Sequence, residues 1–280
     1  LIEHAAMATA RTLDCRPVRL GALHWLALHA LALWPHGVYL TRRALDGSDD
    51  PLGLIALLAA AVWVASQRQR LRLTPQLDWL LAALALAVLA NGAWWAGASA
   101  LLSALLAALS LASALLAWWP RERAKAPLLG LVVLALPWLA TLQFYLGWPL
   151  RVLTAQLSAW GLQLAGFAAE RSGASMLVNG QLVIVDAPCS GVQMAWFAYF
   201  TACAGGAAVA ARDPAFVRRL PWVGVLVLIG NVVRNSVLVV FESRPQGLAP
   251  VWHETIGLVV LIAVCAAVWA LMQRASVRDA

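Results

Sequence analysis

Cys189, Arg234 and His253 are far apart in the chain, but each stands at or within an apolar run, where a charged or reactive side chain needs a reason. Cys189 closes the polar stretch Asp186-Ala187-Pro188 and, with Ser190-Gly191-Val192, opens a long apolar segment. His253 opens the last such segment, and Arg234 lies inside the one before it, seven positions ahead of Phe241. Together they make a thiol chemistry. A thiol becomes a good nucleophile only as the thiolate, and a cation or a helix N-terminus beside it lowers its pKa. Cys189 has a helix start, and Arg234 offers a permanent positive charge. His253 suits the general base and acid, taking the thiol proton and returning it to a leaving amine. Arg234 has a second possible role, holding the oxyanion of a tetrahedral intermediate, and the residues alone do not choose between the two. Ser190, Gly191 and the first-turn amides are further donors, and Asn231 and Asn235 flank Arg234 as hydrogen-bonding neighbours.

Plainer readings stand beside these. Cys203 and Cys265 fall mid-run among apolar neighbours and read as packing residues, while Cys15 reads as a free thiol near the N-terminus. His24, His29 and His36 read as packing or interface residues. Arg234 could form a structural pair with Glu242 or Glu254. A charge at the centre of a membrane helix costs about 3 kcal/mol even on the mildest scale, so such a residue needs a partner or a function. No Cys pair has metal-ligand spacing, and HExxH, P-loop and GxSxG patterns are absent. No metal and no cofactor is expected.

The frame that must bring these groups together is a membrane one. Hydrophobic residues make up 62% of the chain and charged ones 12%, and the mean hydropathy is +0.78. Soluble domains average about 45–50% apolar and about 25% charged residues. The expected fold class is therefore an all-α membrane protein, a polytopic bundle of about eight transmembrane helices. The net charge of +7 is no sign of nucleic acid, because the basic residues fall in short loops between apolar runs, as cytoplasmic loops do.

Spans are expected at about 20–40, 51–66, 77–95, 99–119, 128–148, 188–211, 220–241 and 251–272. This arrangement puts the basic clusters Gln67–Arg72, Pro120–Lys125 and Arg212–Arg219 on the cytoplasmic side with both termini. Residues 149–169 carry Leu150, Leu153, Leu157, Trp160, Leu164 and Phe167 on one helical face and read as an interfacial helix. A crossing there would instead move Cys189 to the cytoplasmic side. Asn179-Gly180 between β-prone runs signals a small periplasmic hairpin. The expected division is an N-terminal four-helix region (1–127), a catalytic membrane region (128–272) and a cytoplasmic tail (273–280). In this scheme Arg234 lies roughly 10 Å below the outer end of its helix, within reach of Cys189 and His253 by extension of its side chain.

The second half, about Leu128 to Met272, resembles the exosortase/archaeosortase family of membrane transpeptidases. The resemblance rests on Pro149-Leu150-Arg151, Ala187-Pro188-Cys189-Ser190-Gly191-Val192, Asn231-Val232-Val233-Arg234-Asn235, and His253 with Gly257. It implies a multi-pass protein of a bacterial inner membrane, with Cys189 as nucleophile, Arg234 and His253 as its partners, and the site facing the periplasm. The implied substrates are exported proteins with a C-terminal sorting tail of the PEP-CTERM kind: a short motif, a transmembrane helix and a basic end. The implied reaction cleaves the tail through a thioacyl intermediate and passes the protein to an acceptor that the resemblance does not identify, in a cell that makes exopolysaccharide. Two other functions remain compatible with the residues. One is a non-catalytic transporter or assembly scaffold binding an anionic substrate through Arg234. The other is a membrane acyltransferase with a cysteine thioester.

Overall fold

The computed structural model describes residues 20–47, 51–184, 190–209, 212–243 and 249–278. Cys189, Cys15 and residues 185–188 and 244–248 lie outside the described residues. The chain is mostly helical. In order, α1 is Leu20–Ala32, α2 Trp34–Leu45, α3 Leu52–Ser66, α4 Leu77–Trp95, α5 Ala100–Leu116, α6 Ala126–Leu134, α7 Leu139–Leu164, α8 Val192–Ala208, α9 Asp213–Glu242 and α10 Pro250–Arg278. Strands β1 (Ala169–Ser172), β2 (Ser175–Val178) and β3 (Gln181–Ile184) lie between α7 and α8.

Prolines explain two departures from the expected spans. The first apolar run is broken at Leu33 into α1 and α2, with Pro35 in the first turn of α2. A proline there has no N–H to continue the helix from the preceding turn. The fifth run breaks at Ala135–Trp138, around Pro137, and α7 leaves α6 at 89°. The segment 149–169 is thus not a separate interfacial helix. Its helical part is the second half of a 26-residue helix that begins at Leu139 and passes through Pro149 without interruption. Two further bounds move. α9 begins at Asp213, seven residues before the expected span, and α10 continues through Arg278 into the expected tail.

Helix length limits the span count. Among the described residues α4, α9 and α10 are long and apolar enough to cross a bilayer, and α6 with α7 makes a fourth if the bent pair is one span. Leu23–Ala32, α3 and α5 are apolar but shorter. α3, for example, reaches about 22 Å, against a hydrocarbon core about 30 Å thick. Eight full-length spans are therefore not what the helix lengths provide.

Small residues set the packing. α4 turns Ala83, Ala87 and Ala90 inward, and α5 answers with Ser103, Ala104 and Ala107, so the two backbones approach closely. α3 and α5 both pack on α6, and so join the N-terminal helices to the rest. The main core gathers Leu116, Trp119, Leu128, Leu131, Ala198, Cys203, Phe216, Val223 and Val268. Cys203 is buried here against α6, where Gly130 leaves room for its sulfur. The amides of Lys125 and Ala126, which open α6, both donate to Asp213 Oδ1 at 2.7 and 2.8 Å. The first residue of α9 thus caps a distant helix start.

The three strands form an antiparallel sheet in the order β1-β2-β3. The β2–β3 turn is Asn179-Gly180, with φ of 50° and 83°. Two successive left-handed residues match the twist of the strands. The hairpin is thus present, extended by β1, and it packs Met176, Val178 and Val183 onto Ala155, Ala159 and Leu162 of α7 and Leu238 and Val239 of α9.

Candidate active site

The site is built on the middle of α9. Gly191 precedes α8 with φ +81°, a left-handed conformation that L side chains rarely adopt. A Cβ at that position would stand 3.0 Å from the Asn231 side chain. Glycine here therefore serves two ends, the sharp entry into α8 and the close seating of α8 on α9. Ser190, only 4% exposed, donates from Oγ to Gln143 Oε1 of α7 at 2.8 Å and accepts from the Val192 amide at 3.4 Å. The residue joined directly to Cys189 is thus held from two sides.

α7 and α9 meet through a two-rung polar ladder. Asn231 Nδ2 donates to Thr154 Oγ1 at 3.0 Å, and Asn235 Nδ2 to Ser158 Oγ at 2.9 Å. Each pair is one helical turn from the next on both helices, so the rungs stack. Ser158 Oγ in turn donates to the Val232 carbonyl at 3.3 Å, and Asn235 Nδ2 also lies 3.6 Å from Met176 Sδ of the sheet. Asn231 and Asn235 are each 2% exposed. The expected flanking asparagines therefore join α9 to α7 and the hairpin.

α10 runs back along α9. Arg234 lies against Gly257, where an added Cβ would be 3.1–3.3 Å from Nε, Nη2 and Cζ of the guanidinium. One turn earlier on α10, His253 Nδ1 is 3.1 Å from Glu242 Oε1, with both side chains about a third exposed. A neutral ring facing an ionised carboxylate, which only accepts, carries its proton on Nδ1 and keeps a lone pair on Nε2. Glu242, weighed from sequence as a partner of Arg234, engages His253.

The structure brings Ser190, Gly191, Asn231 and Asn235 together where α7, α8 and α9 meet, and seats Arg234 against Gly257 of α10; His253 stands with Glu242, about 16 Å along α9 from Asn231. Cys189 itself is outside the described residues. Sequence reasoning missed Gln143, Thr154 and Ser158, and it did not assign Glu242 to the histidine. A usable signal existed. Thr154 and Ser158 are spaced i, i+4, like Asn231 and Asn235, and each pair lies on one face of its helix. A cavity of about 610 Å³ opens beside Ser190, Gly191, Thr154 and Asn231 and extends between α7, α8 and α9.

A model of the transmembrane exosortase family matches residues 44–270, most of the chain and all of the site just described. The protein belongs to the transmembrane exosortase family. It is an integral membrane protein of the exosortase type, a family that processes exported substrates within the membrane. No curated protein sequence and no solved structure matches it.

Proposed function

We propose that the chain is a cysteine protease/transpeptidase of the bacterial inner membrane, which cleaves the C-terminal sorting tail of exported proteins at the periplasmic face and transfers the protein to an acceptor. Its catalytic region is residues 128–272, and its basic loops face the cytoplasm. Cys189 is the nucleophile. Its sulfur attacks the scissile carbonyl, a C–S bond forms, and the carbonyl oxygen becomes an oxyanion. Arg234 and the amides that open α8 neutralise that charge. His253, oriented by Glu242 through Nδ1, takes the thiol proton on Nε2 and delivers it to the leaving amine as the C–N bond breaks. The acceptor's nucleophile then attacks the thioester and restores the thiol.

The observation that supports this reading is the packing of two helices on α9. The start of α8 seats on Asn231, the Arg234 guanidinium lies against Gly257 of α10, and the His253–Glu242 pair follows about 12 Å further along α9. Family membership supports the reaction class. The test is Cys189→Ala, which should express and fold as the parent does while its substrates retain their tails. Normal processing by this variant refutes the proposal. The anion-binding alternative differs at the cysteine: it expects Cys189→Ala to be harmless while Arg234→Ala abolishes function.

A further inference from the structure

The cavity beside Ser190 has a shape that bears on the substrate. α7 buries Thr154, Ala155, Ser158, Ala159 and Leu162 in its second half, but only Gly147 in its first. It is joined to α9 at the polar ladder and is more exposed before that joint. The cavity of about 610 Å³ lies between this first half, α8 and α9. Leu146 and Leu150 line it from α7, Ala195 and Tyr199 from α8, and Gly224 and Leu228 from α9. Leu146 is 46% exposed, so the space opens to the surroundings along the first half of α7.

Its polarity is graded. Ser190, Thr154 and Asn231 stand at one end, and the wall beyond them is apolar as far as the Tyr199 hydroxyl, which donates to the Leu220 carbonyl at 3.3 Å. From Ser190 to Tyr199 the cavity follows α8 for about 13 Å, and from Asn231 to Gly224 it follows α9 for about 10 Å. Those lengths correspond to about two turns of a helix. The cavity is open along one side, so a helix two turns long seated in it turns one face to the walls and the other to the surroundings. The floor is small where such a face would press deepest, at Ala195 and Gly224. A Cβ on Gly224 would already stand 3.2 Å from the Tyr199 hydroxyl.

We propose that this cavity is the subsite for an apolar helical segment of the substrate. The first two turns of that segment beyond the scissile bond enter sideways from the bilayer between α7 and the α8–α9 pair. This rests on the thiol reading above, because the polar end is one peptide bond from Cys189. Lipid tails are as apolar as the walls, so packing and not water exclusion selects the occupant. The subsite then discriminates by side-chain size along the entering face, at i, i+3, i+4 and i+7.

The experiment uses the full-length protein and a reporter carrying the tail of a protein that it processes. p-Benzoylphenylalanine is placed at successive positions of the first two turns of the reporter's apolar segment, and Cys189→Ala is used to retain the uncleaved tail. Crosslinks are expected to recur every three to four positions and to map to α8 and α9 around Ala195 and Leu228. In the active protein, Ala195→Phe and Gly224→Leu are expected to lower processing at least tenfold, with maleimide labelling of Cys189, read by mass spectrometry, at the parent level. Crosslinks that map elsewhere, adducts to lipid alone, or parental processing by both variants overturn the subsite. The last result together with an inactive Cys189→Ala leaves the thiol reading standing, whereas normal processing by Cys189→Ala removes that reading itself.

Discussion

Gly191 and Gly257 are two positions where one added carbon is felt at the site, and the consequences differ in kind. At Gly191 the backbone is left-handed and the nearest atoms belong to a buried, hydrogen-bonded asparagine. At Gly257 the nearest atoms are the far end of an arginine, which can swing aside. Gly257→Val is therefore expected to leave the thermal midpoint in detergent within a few degrees of the parent while it lowers processing at least tenfold. A parental rate would show that the guanidinium need not rest there. The His253–Glu242 pair makes a second residue-scale prediction. Glu242→Gln retains the shape but lets either amide end face Nδ1, so the lone pair on Nε2 is no longer specified. If His253 moves the proton, kcat should fall about 10²-fold with little change in KM. A change in KM alone would make Glu242 a substrate contact instead.

At the scale of elements, α9 organises the second half of the protein. It meets α7 through the asparagine ladder, α8 at Gly191 and α10 at Gly257, and it caps α6 from its own first residue. Interhelical polar pairs in membranes couple by about 0.6 kcal/mol on average and about 1.7 kcal/mol at most. A double-mutant cycle of Asn235→Ala and Ser158→Ala should fall in that range, read from unfolding in mixed micelles. The rung is shared with the Val232 carbonyl and Met176, so the upper end is expected. A coupling energy of zero would mean that the ladder aligns the helices without stabilising them. The broken pair α6–α7 matters in another way. Its 89° bend turns the first half of α7 into the open wall of the cavity.

For the molecule as a whole, the distribution of basic loops makes a topological prediction. Single cysteines placed at Arg121 and Arg218 should react with a membrane-impermeant maleimide only after the cells are opened, whereas one at Gly180 should react in intact spheroplasts. Labelling of Gly180 only from the cytoplasmic side would invert the site and end the proposal of periplasmic cleavage. Several features of this architecture were legible in the chain. Long apolar runs mark helices because a lipid-embedded backbone must satisfy its own hydrogen bonds. Asn179-Gly180 marked its turn because few other residue pairs adopt two successive left-handed conformations. The lengths of the helices were less legible. Apolar composition continues past the points where Pro35 and Pro137 break the helix, and polar composition did not stop α9 from starting at Asp213 or α10 from reaching Arg278.

The residues alone determined that this is a membrane protein, that reactive groups stand at the ends of its apolar runs, and that its second half resembles an exosortase. Those are properties of local composition and of short motifs, and they survive without knowledge of any contact. Tertiary structure alone decided the partnerships: Glu242 with His253, Gln143 with Ser190, Thr154 and Ser158 with Asn231 and Asn235, and the guanidinium of Arg234 with the bare backbone at Gly257. Each joins side chains that are distant in sequence, or helices whose relative rotation no periodicity specifies. Helix faces acquire partners only when the bend between α6 and α7 and the seating of α8 and α10 on α9 have set which turn stands opposite which.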